Sequence, residues 1–129
     1  MSDGRVIADA SAVLALLKSE KFDRFEPRRL FGAAISAVNL SEVLERLCSG
    51  GLNELEAEEA VAELNLQVAD FDEAQARRTA YLRPRTRAAG LSLGDRACLA
   101  LANKLQGPVV TADRAWASLD VGVEVILIR

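Results

Sequence analysis

The chain has 129 residues, of which 50% are apolar and 27% are charged, and this balance excludes the disordered and fibrous classes of protein. Its formal net charge of -3 at pH 7 lacks the basic excess that usually accompanies nucleic-acid binding. The absence of histidine excludes imidazole acid–base catalysis, Ser-His-Asp and Cys-His hydrolysis, and the usual zinc sites. Any hydrolysis must therefore depend on carboxylates or on a metal ion that they hold.

The length is ordinary for one domain, so we expect a single domain over residues 1–129. No apolar run approaches the roughly 18 residues needed to cross a bilayer, and the N-terminus has no basic region followed by a hydrophobic one. We therefore expect a cytoplasmic protein. Cys48 and Cys98 lie in helical patterns without a Cys-x-x-Cys spacing, and we expect both to be small buried side chains rather than a disulfide or a metal site.

A strand, an acid and a helix follow one another near the start of the chain. Residues 6–8 form a continuous apolar run, which is typical of a strand buried on both faces of a parallel sheet. After Asp9, apolar residues recur at helical spacing through Leu17. Asp9 thus stands at the carboxyl end of a strand, where open α/β sheets place ligand sites, although capping of the helix is the ordinary explanation for such an acid.

The next segments predict a helix, a strand and another helix. The charged stretch from Lys18, with Phe22 and Phe25, predicts a short helix that ends before Pro27. A second short strand over 33–35 follows, and a helix capped by Ser36 runs to about residue 48. Glu42 lies off the apolar face of that helix, where a solvated carboxylate is the ordinary interpretation.

The middle of the chain ends in a strongly basic segment. Asn53 caps a helix over 54–64, a third strand covers 66–69, and Asp72 opens a helix that runs to about residue 82. A solvated face is the usual explanation for a run of charge, and a rim that binds phosphate is the alternative. Five arginines make up this run: Arg77, Arg78, Arg83, Arg85 and Arg87.

The last part of the chain repeats the arrangement of an acid after a strand. Ser92 and Asp95 have the spacing of a capping box at the start of a helix that runs to about residue 105. A fourth strand over 109–111 leads to Asp113, as the first strand leads to Asp9. A short helix through Trp116 and a final strand over 123–128 complete an α/β chain with a mostly parallel central sheet of four to five strands.

Four acids are expected to converge at one edge of this sheet. Right-handed crossovers bring the carboxyl ends of parallel strands together, so Asp9 and Asp113 should share that edge, with Glu42 and Asp95 one turn or less into neighbouring helices. Unpaired carboxylates repel one another, and a bound divalent cation removes this cost. Oxygen ligands without cysteine or histidine suit Mg²⁺ or Mn²⁺, which can orient a phosphodiester and activate water.

Four motifs of the chain resemble successive motifs of the PIN-domain ribonucleases, particularly the VapC-type toxins of bacterial toxin–antitoxin pairs. They are VIADASAVLALL, ISAVNLSEVLERL, LSLGDRACLALA and VVTADRAW. The similarity runs from Arg5 to the closing VEVILIR, nearly the whole chain. The resemblance implies that the metal-binding and catalytic acids are Asp9, Glu42, Asp95 and Asp113.

The resemblance has further implications for the site and its partners. Ser11 and Thr111 are similar to family hydroxyls that belong to a supporting shell, and Trp116 occupies the neighbourhood where some PIN domains carry a further acid. The family implies a Rossmann-like fold, commonly dimeric, that cleaves single-stranded or loop RNA and is covered by a small antitoxin. On this hypothesis the arginines hold the RNA backbone, and we assign that role to Arg83, Arg85 and Arg87.

Two other functions stay open at this point. A phosphoacceptor receiver domain also has acids at strand ends, but its chemistry needs a lysine at the end of a late strand. The lysines, Lys18, Lys21 and Lys104, all lie in predicted helices or at their ends. A catalytically inert binding module with a PIN-like fold is the other alternative.

Overall fold

The computed structural model describes residues 5–129 and has a five-stranded sheet as its middle layer. All neighbouring strands pair in parallel, in the order β3-β2-β1-β4-β5. The strands are β1 (Ile7–Ala8), β2 (Ala34–Ser36), β3 (Gln67–Ala69), β4 (Val109–Thr111) and β5 (Val125–Leu127). The α/β class and the predicted parallel sheet are therefore confirmed.

Helices lie on both faces of the sheet. They are α1 (Ala10–Leu17), α2 (Ala37–Ser49), α3 (Glu54–Ala62), α4 (Glu73–Tyr81), α5 (Arg83–Thr86) and α6 (Leu93–Leu105), with 3-10 turns at Pro27–Leu30, Arg87–Ala89 and Arg114–Ser118. The predicted caps are confirmed, because a backbone N–H bonds to each of the side chains of Ser36, Asn53, Asp72 and Ser92. No helix within residues 5–129 is long and apolar enough to cross a membrane.

The core consists of two apolar clusters, one on each face of the sheet. Successive residues of a strand point to opposite faces, so Ala8 packs in one cluster and Ile7 in the other. Val110 and Val109 of β4 divide in the same way. Burial on both faces is the physical reason that these strands are continuous apolar runs in the sequence.

The strand order places the ligand crevice between β1 and β4. The chain moves outward from β1 through β2 to β3, then returns to the other side of β1 with β4. In open α/β sheets, ligands bind at the carboxyl ends of the strands where the order reverses in this way. Receiver domains have the strand order 2-1-3-4-5, so the receiver alternative is wrong for this chain.

The predicted short helix between residues 18 and 26 is wrong. In this segment the backbone N–H groups of Asp23 and Arg24 both donate to the carbonyl of Ile128, at 3.0 and 3.1 Å. The segment therefore bonds to the chain that follows β5, while Phe25 packs into the core. A helical turn begins only at Pro27, where the fixed φ of proline suits the first position.

The prediction that both cysteines are buried holds for Cys98 alone. Cys48 is exposed, and both thiols are free. Cys48 lies in the last turn of α2, whose buried side chains include Val43 and Leu47. It is one residue beyond Leu47, which rotates it about 100° away from the buried face.

The assignment of β2 to the core is testable with Ile35→Ala. Ile35 is 0% exposed, so its truncation is expected to lower the free energy of unfolding by about 2–5 kcal/mol. Leu55→Ala is the matched control, because Leu55 is 67% exposed on α3 and its truncation should cost under about 0.5 kcal/mol. Urea denaturation measures both. Equal losses would contradict this layer assignment.

Candidate functional site

One cavity of about 330 Å³ opens beside the residues that directly follow β1 and β4. All four predicted acids line it, although they come from four separate segments of the chain. They are Asp9, Glu42, Asp95 and Asp113. The expected meeting of strand ends and helix starts thus places these side chains around one space.

Asp9 is the buried member of the group, with 4% of its surface exposed. Its Oδ1 accepts from the backbone N–H of Ala12 at 2.8 Å, so it caps α1. The hydroxyl of Ser11 donates to the carboxylate at 2.8 Å, and the hydroxyl of Thr111 donates to Oδ2 at 2.6 Å. The carboxylate is therefore fixed on both sides, by its own helix and by β4.

Ser11 and Thr111 connect the ends of β1 and β4 through Asp9. The oxygen of Ser11 accepts from the backbone N–H of Ala112 at 2.9 Å, and that of Thr111 accepts from the N–H of Asp113 at 3.0 Å. Each hydroxyl thus donates to the carboxylate that follows β1 and accepts from a backbone N–H that follows β4. The structure places both in direct contact with Asp9, where the family resemblance put a supporting shell.

Burial raises the pKa of Asp9 from its ordinary 3.8 to about 6. The hydroxyls of Thr111 and Ser11 and the amide of Ala12 lower this pKa, and the nearby charge of Asp95 raises it. The cost of removing the ionised carboxylate from water outweighs the donated hydrogen bonds. A positive charge in the cavity would offset that cost.

Glu42 lies against α6 rather than in open solvent. Its Oε1 accepts from Nδ2 of Asn39 at 2.9 Å, and the same nitrogen donates to the carbonyl of Gly94 at 2.9 Å. A Cβ at residue 94 would lie only 2.2 Å from Oε2 of Glu42. Sequence reasoning missed both Asn39 and Gly94, and the only signal for Asn39 was its spacing of three residues before Glu42.

The other two acids also cap helical turns. Oδ2 of Asp95 accepts from the N–H of Ser92 at 3.0 Å, which completes the predicted capping box of α6. Oδ1 of Asp113 accepts from the N–H of Ala115 at 3.0 Å, at the start of a 3-10 turn. Trp116 in that turn is 0% exposed and belongs to the core.

The four acids fit a hard cation by chemistry and location, but they do not form a ready-made cage. Within residues 5–129, no three acidic or cysteine side chains are placed to hold one ion. Glu42, Asp95 and Asp113 instead accept hydrogen bonds from their own parts of the chain, whereas Asp9 accepts from both α1 and β4. Binding of Mg²⁺ or Mn²⁺ by three of these carboxylates therefore requires the side chains to move closer together.

The cavity also has a basic wall that sequence reasoning missed. Lys18, Arg46 and Arg129 line it together with the acids. Arg129 donates to Glu20 at 3.0 Å, whereas Lys18 and Arg46 have no ion pair within the part of the chain that is described. The signal for Arg46 was its position four residues after Glu42, on the same side of α2.

The arginine segment lies elsewhere. None of Arg83, Arg85 and Arg87 lines the acidic cavity. Arg85 lines a separate groove of about 530 Å³ with Tyr81 and residues of α4 and α6. The predicted contact of these arginines with RNA stays a prediction. The acidic cavity is lined by other cationic side chains, Lys18, Arg46 and Arg129.

Asp9→Asn is expected to stabilise the chain near neutral pH. The folded pKa of about 6 lies above the unfolded value of 3.8, so the contribution of Asp9 is fully present below about pH 4 and is lost as pH rises through 6. The free energy of unfolding of the variant should therefore increasingly exceed that of the parent over this range, by on the order of 3 kcal/mol at its upper end. Urea denaturation in chelator between about pH 4 and pH 8 measures it.

Asp23→Asn is the matched control for this experiment, because Asp23 is exposed and does not line the cavity. Its stability relative to the parent should change little over the same range. A gap for Asp9→Asn that stays constant with pH would contradict the assigned cost of burial.

Comparison with known proteins identifies the family. The PIN domain family model matches residues 6–122, whereas no curated protein matches the chain. DNA-bound VapBC from Salmonella typhimurium has a similar fold, with a TM-score of 0.71 and 17% identity, covering 97% of this chain and 98% of that one. VapC20 from Mycobacterium tuberculosis, a Sarcin-Ricin loop cleaving toxin, has a TM-score of 0.70 and 17% identity, covering 92% and 98%.

A third similar structure is VapBC-5 from Mycobacterium tuberculosis, a member of the VapBC family of toxin-antitoxin systems. It has a TM-score of 0.66 and 22% identity, and 98% of each chain is covered. These identities establish likeness of fold. Because the family model spans nearly all of the described residues, the chain belongs to the PIN domain family.

Proposed function

We propose that this chain is a metal-dependent endoribonuclease and the toxin of a toxin–antitoxin pair. The observation that carries the proposal is one cavity lined by four carboxylates from distant segments, in a chain without histidine. Membership of the PIN domain family supports it. So does the likeness in fold to VapC20, which cleaves the Sarcin-Ricin loop.

The residues that would hold Mg²⁺ or Mn²⁺ are Asp9, Glu42, Asp95 and Asp113. When bound, such an ion supplies the Lewis-acid activation and charge neutralisation that phosphodiester hydrolysis needs. Among these acids, Asp9 is oriented before any ion binds, because Ser11 and Thr111 donate hydrogen bonds to its carboxylate. This division of roles needs no group that titrates as histidine does.

The basic wall of the cavity suits a phosphate substrate. Lys18 and Arg46 bring positive charge to a space that is otherwise acidic, so a phosphodiester entering beside the carboxylates meets attraction as well as repulsion. Unpaired RNA can turn its backbone and bases toward a cavity of this kind. We therefore propose single-stranded or loop RNA as the substrate.

We also propose a small antitoxin as the protein partner and a homodimer as the assembled state. The antitoxin is proposed because structures of the same fold were solved as VapBC assemblies. The dimer rests on the resemblance to the VapC-type family. A partner that covers the acidic cavity would keep RNA away from the four acids.

The inert binding module is the second candidate, and one observation favours it. No three acids within residues 5–129 are placed around one point as they stand. Calorimetric titration with Mg²⁺ and Mn²⁺ separates the two functions. Binding at or below millimolar ion supports the nuclease, and no binding at that concentration supports the inert module.

Substitution of the acids tests the nuclease directly. Asp9→Asn and Asp95→Asn keep the size and part of the capping of each side chain but remove a negative charge. Each is expected to lower Mg²⁺-dependent cleavage of a labelled single-stranded RNA by about 100-fold or more. Asp23→Asn should cleave as the parent does, because Asp23 lies outside the cavity. Undiminished cleavage by either purified site variant refutes the assignment.

Salt-dependent binding tests which cations contact RNA. Each lost phosphate contact with a single strand should reduce the slope of log affinity against log salt by about 0.7. We expect a reduction of about 1.4 for Lys18→Ala with Arg46→Ala, and of about 2 for Arg83→Ala with Arg85→Ala and Arg87→Ala. Fluorescence anisotropy with the inactive Asp9→Asn chain as parent measures these slopes.

Arg24→Ala is the control for this measurement, since Arg24 is exposed and lines neither cavity. Its slope should match the parent's. An unchanged slope for the triple variant would mean that Arg83, Arg85 and Arg87 are ordinary surface charge. An unchanged slope for the double variant would mean that Lys18 and Arg46 do not contact the RNA.

A further inference from the structure

A single buried amide joins two of the four acids. Asn39 lies in the first turn of α2 and is 1% exposed. Its Nδ2 donates one hydrogen bond to Oε1 of Glu42 and one to the carbonyl of Gly94, both at 2.9 Å. Gly94 directly precedes Asp95 in α6. The amide therefore connects the carboxylate of Glu42 with the turn of helix that carries Asp95.

The orientation of this amide is determined by its neighbours. A carboxylate and a carbonyl only accept hydrogen bonds, so the nitrogen of Asn39 must face Glu42 and Gly94. The oxygen Oδ1 is buried and has no hydrogen-bond partner within the described residues. A buried acceptor without a partner is unfavourable, and it offsets part of the stability that the two donated hydrogen bonds contribute.

Glycine at residue 94 completes the contact. Its φ is not in the left-handed region, so the backbone there does not require glycine. Alanine would favour the helix more. A Cβ at this position, however, would lie 2.2 Å from Oε2 and 2.6 Å from Cδ of Glu42. The missing side chain lets the carboxylate approach the backbone of α6 directly.

We propose that Asn39 is a positioning residue that holds the Glu42 carboxylate at a set place relative to Asp95. The proposal rests on the proposed function, because the contact matters only if Glu42 and Asp95 bind the same metal ion. Asn39 acts through Glu42, while Gly94 provides the surface against which that carboxylate lies.

The principal test is Asn39→Leu, measured by calorimetric titration of Mn²⁺ without RNA. Removal of a side chain that orients a ligand is expected to weaken Mn²⁺ binding by about 10-fold. The midpoint of thermal unfolding should change little, because leucine removes the unpartnered Oδ1 together with the two donated hydrogen bonds. A lower midpoint with unchanged Mn²⁺ affinity would overturn the proposal and make Asn39 a structural residue.

A double-mutant cycle shows whether Asn39 acts through Glu42. In a Glu42→Gln background, Asn39→Leu should cause no further loss of Mn²⁺ affinity. A loss that persists in full would mean that Asn39 acts elsewhere. Gln75→Leu is the matched control, because Gln75 is also a buried amide that bonds to α6, through the carbonyl of Ala100, and it does not line the cavity. Its Mn²⁺ affinity should equal the parent's.

A measurement without metal keeps this inference separate from the proposed function. Glu42→Ala and Gly94→Ala should each shift the side-chain amide resonances of Asn39 in the ¹⁵N NMR spectrum of the chain. If the parent binds no Mn²⁺ at millimolar concentration, the metal-dependent function fails, yet shifted resonances would still support the contact. Resonances that do not move in either variant would overturn the positioning role.

Discussion

The burial of one ionised carboxylate is the constraint on which the site depends. Asp9 lies between the ends of β1 and β4, where removal from water raises its pKa to about 6. Hydroxyls of Ser11 and Thr111 offset part of this cost and, through their own backbone partners, hold the two strand ends together. A buried charge of this kind lowers the free energy of unfolding, and sites that serve function often reduce stability in this way.

Capping and site formation use the same carboxylates. Asp9, Asp95 and Asp113 each bond to a backbone N–H at the start of a helical turn. Sequence reasoning weighed capping against function as alternatives, whereas in the structure the same side chains both cap helical turns and line the cavity. The partial positive charge of a helix N-terminus attracts a negatively charged side chain there. Glu42 has no such cap, and a neighbouring amide and glycine hold it instead.

The errors of the sequence interpretation have specific physical causes. The segment between residues 18 and 26 has helix-forming residues, but its backbone bonds to Ile128, far away in the sequence. Cys48 follows an apolar helical pattern, yet it lies one residue beyond the buried face of α2. Lys18 and Arg46, which give no local signal comparable to the arginine run, line the acidic cavity, and the contact of that run with RNA stays a prediction.

By itself, the sequence determined the succession of strands, acids and helices along the chain and most of the helix caps. These features depend on residues within one or two turns of each other. The parallel sheet followed from the same local patterns, because β1 and β4 are continuous apolar runs typical of strands buried on both faces. Only the tertiary structure decided that Asn39 and Gly94 meet at Glu42, and which cations line the cavity. Those contacts depend on how α2 packs against α6 across the strand order 3-2-1-4-5, and no local pattern encodes a distance between segments.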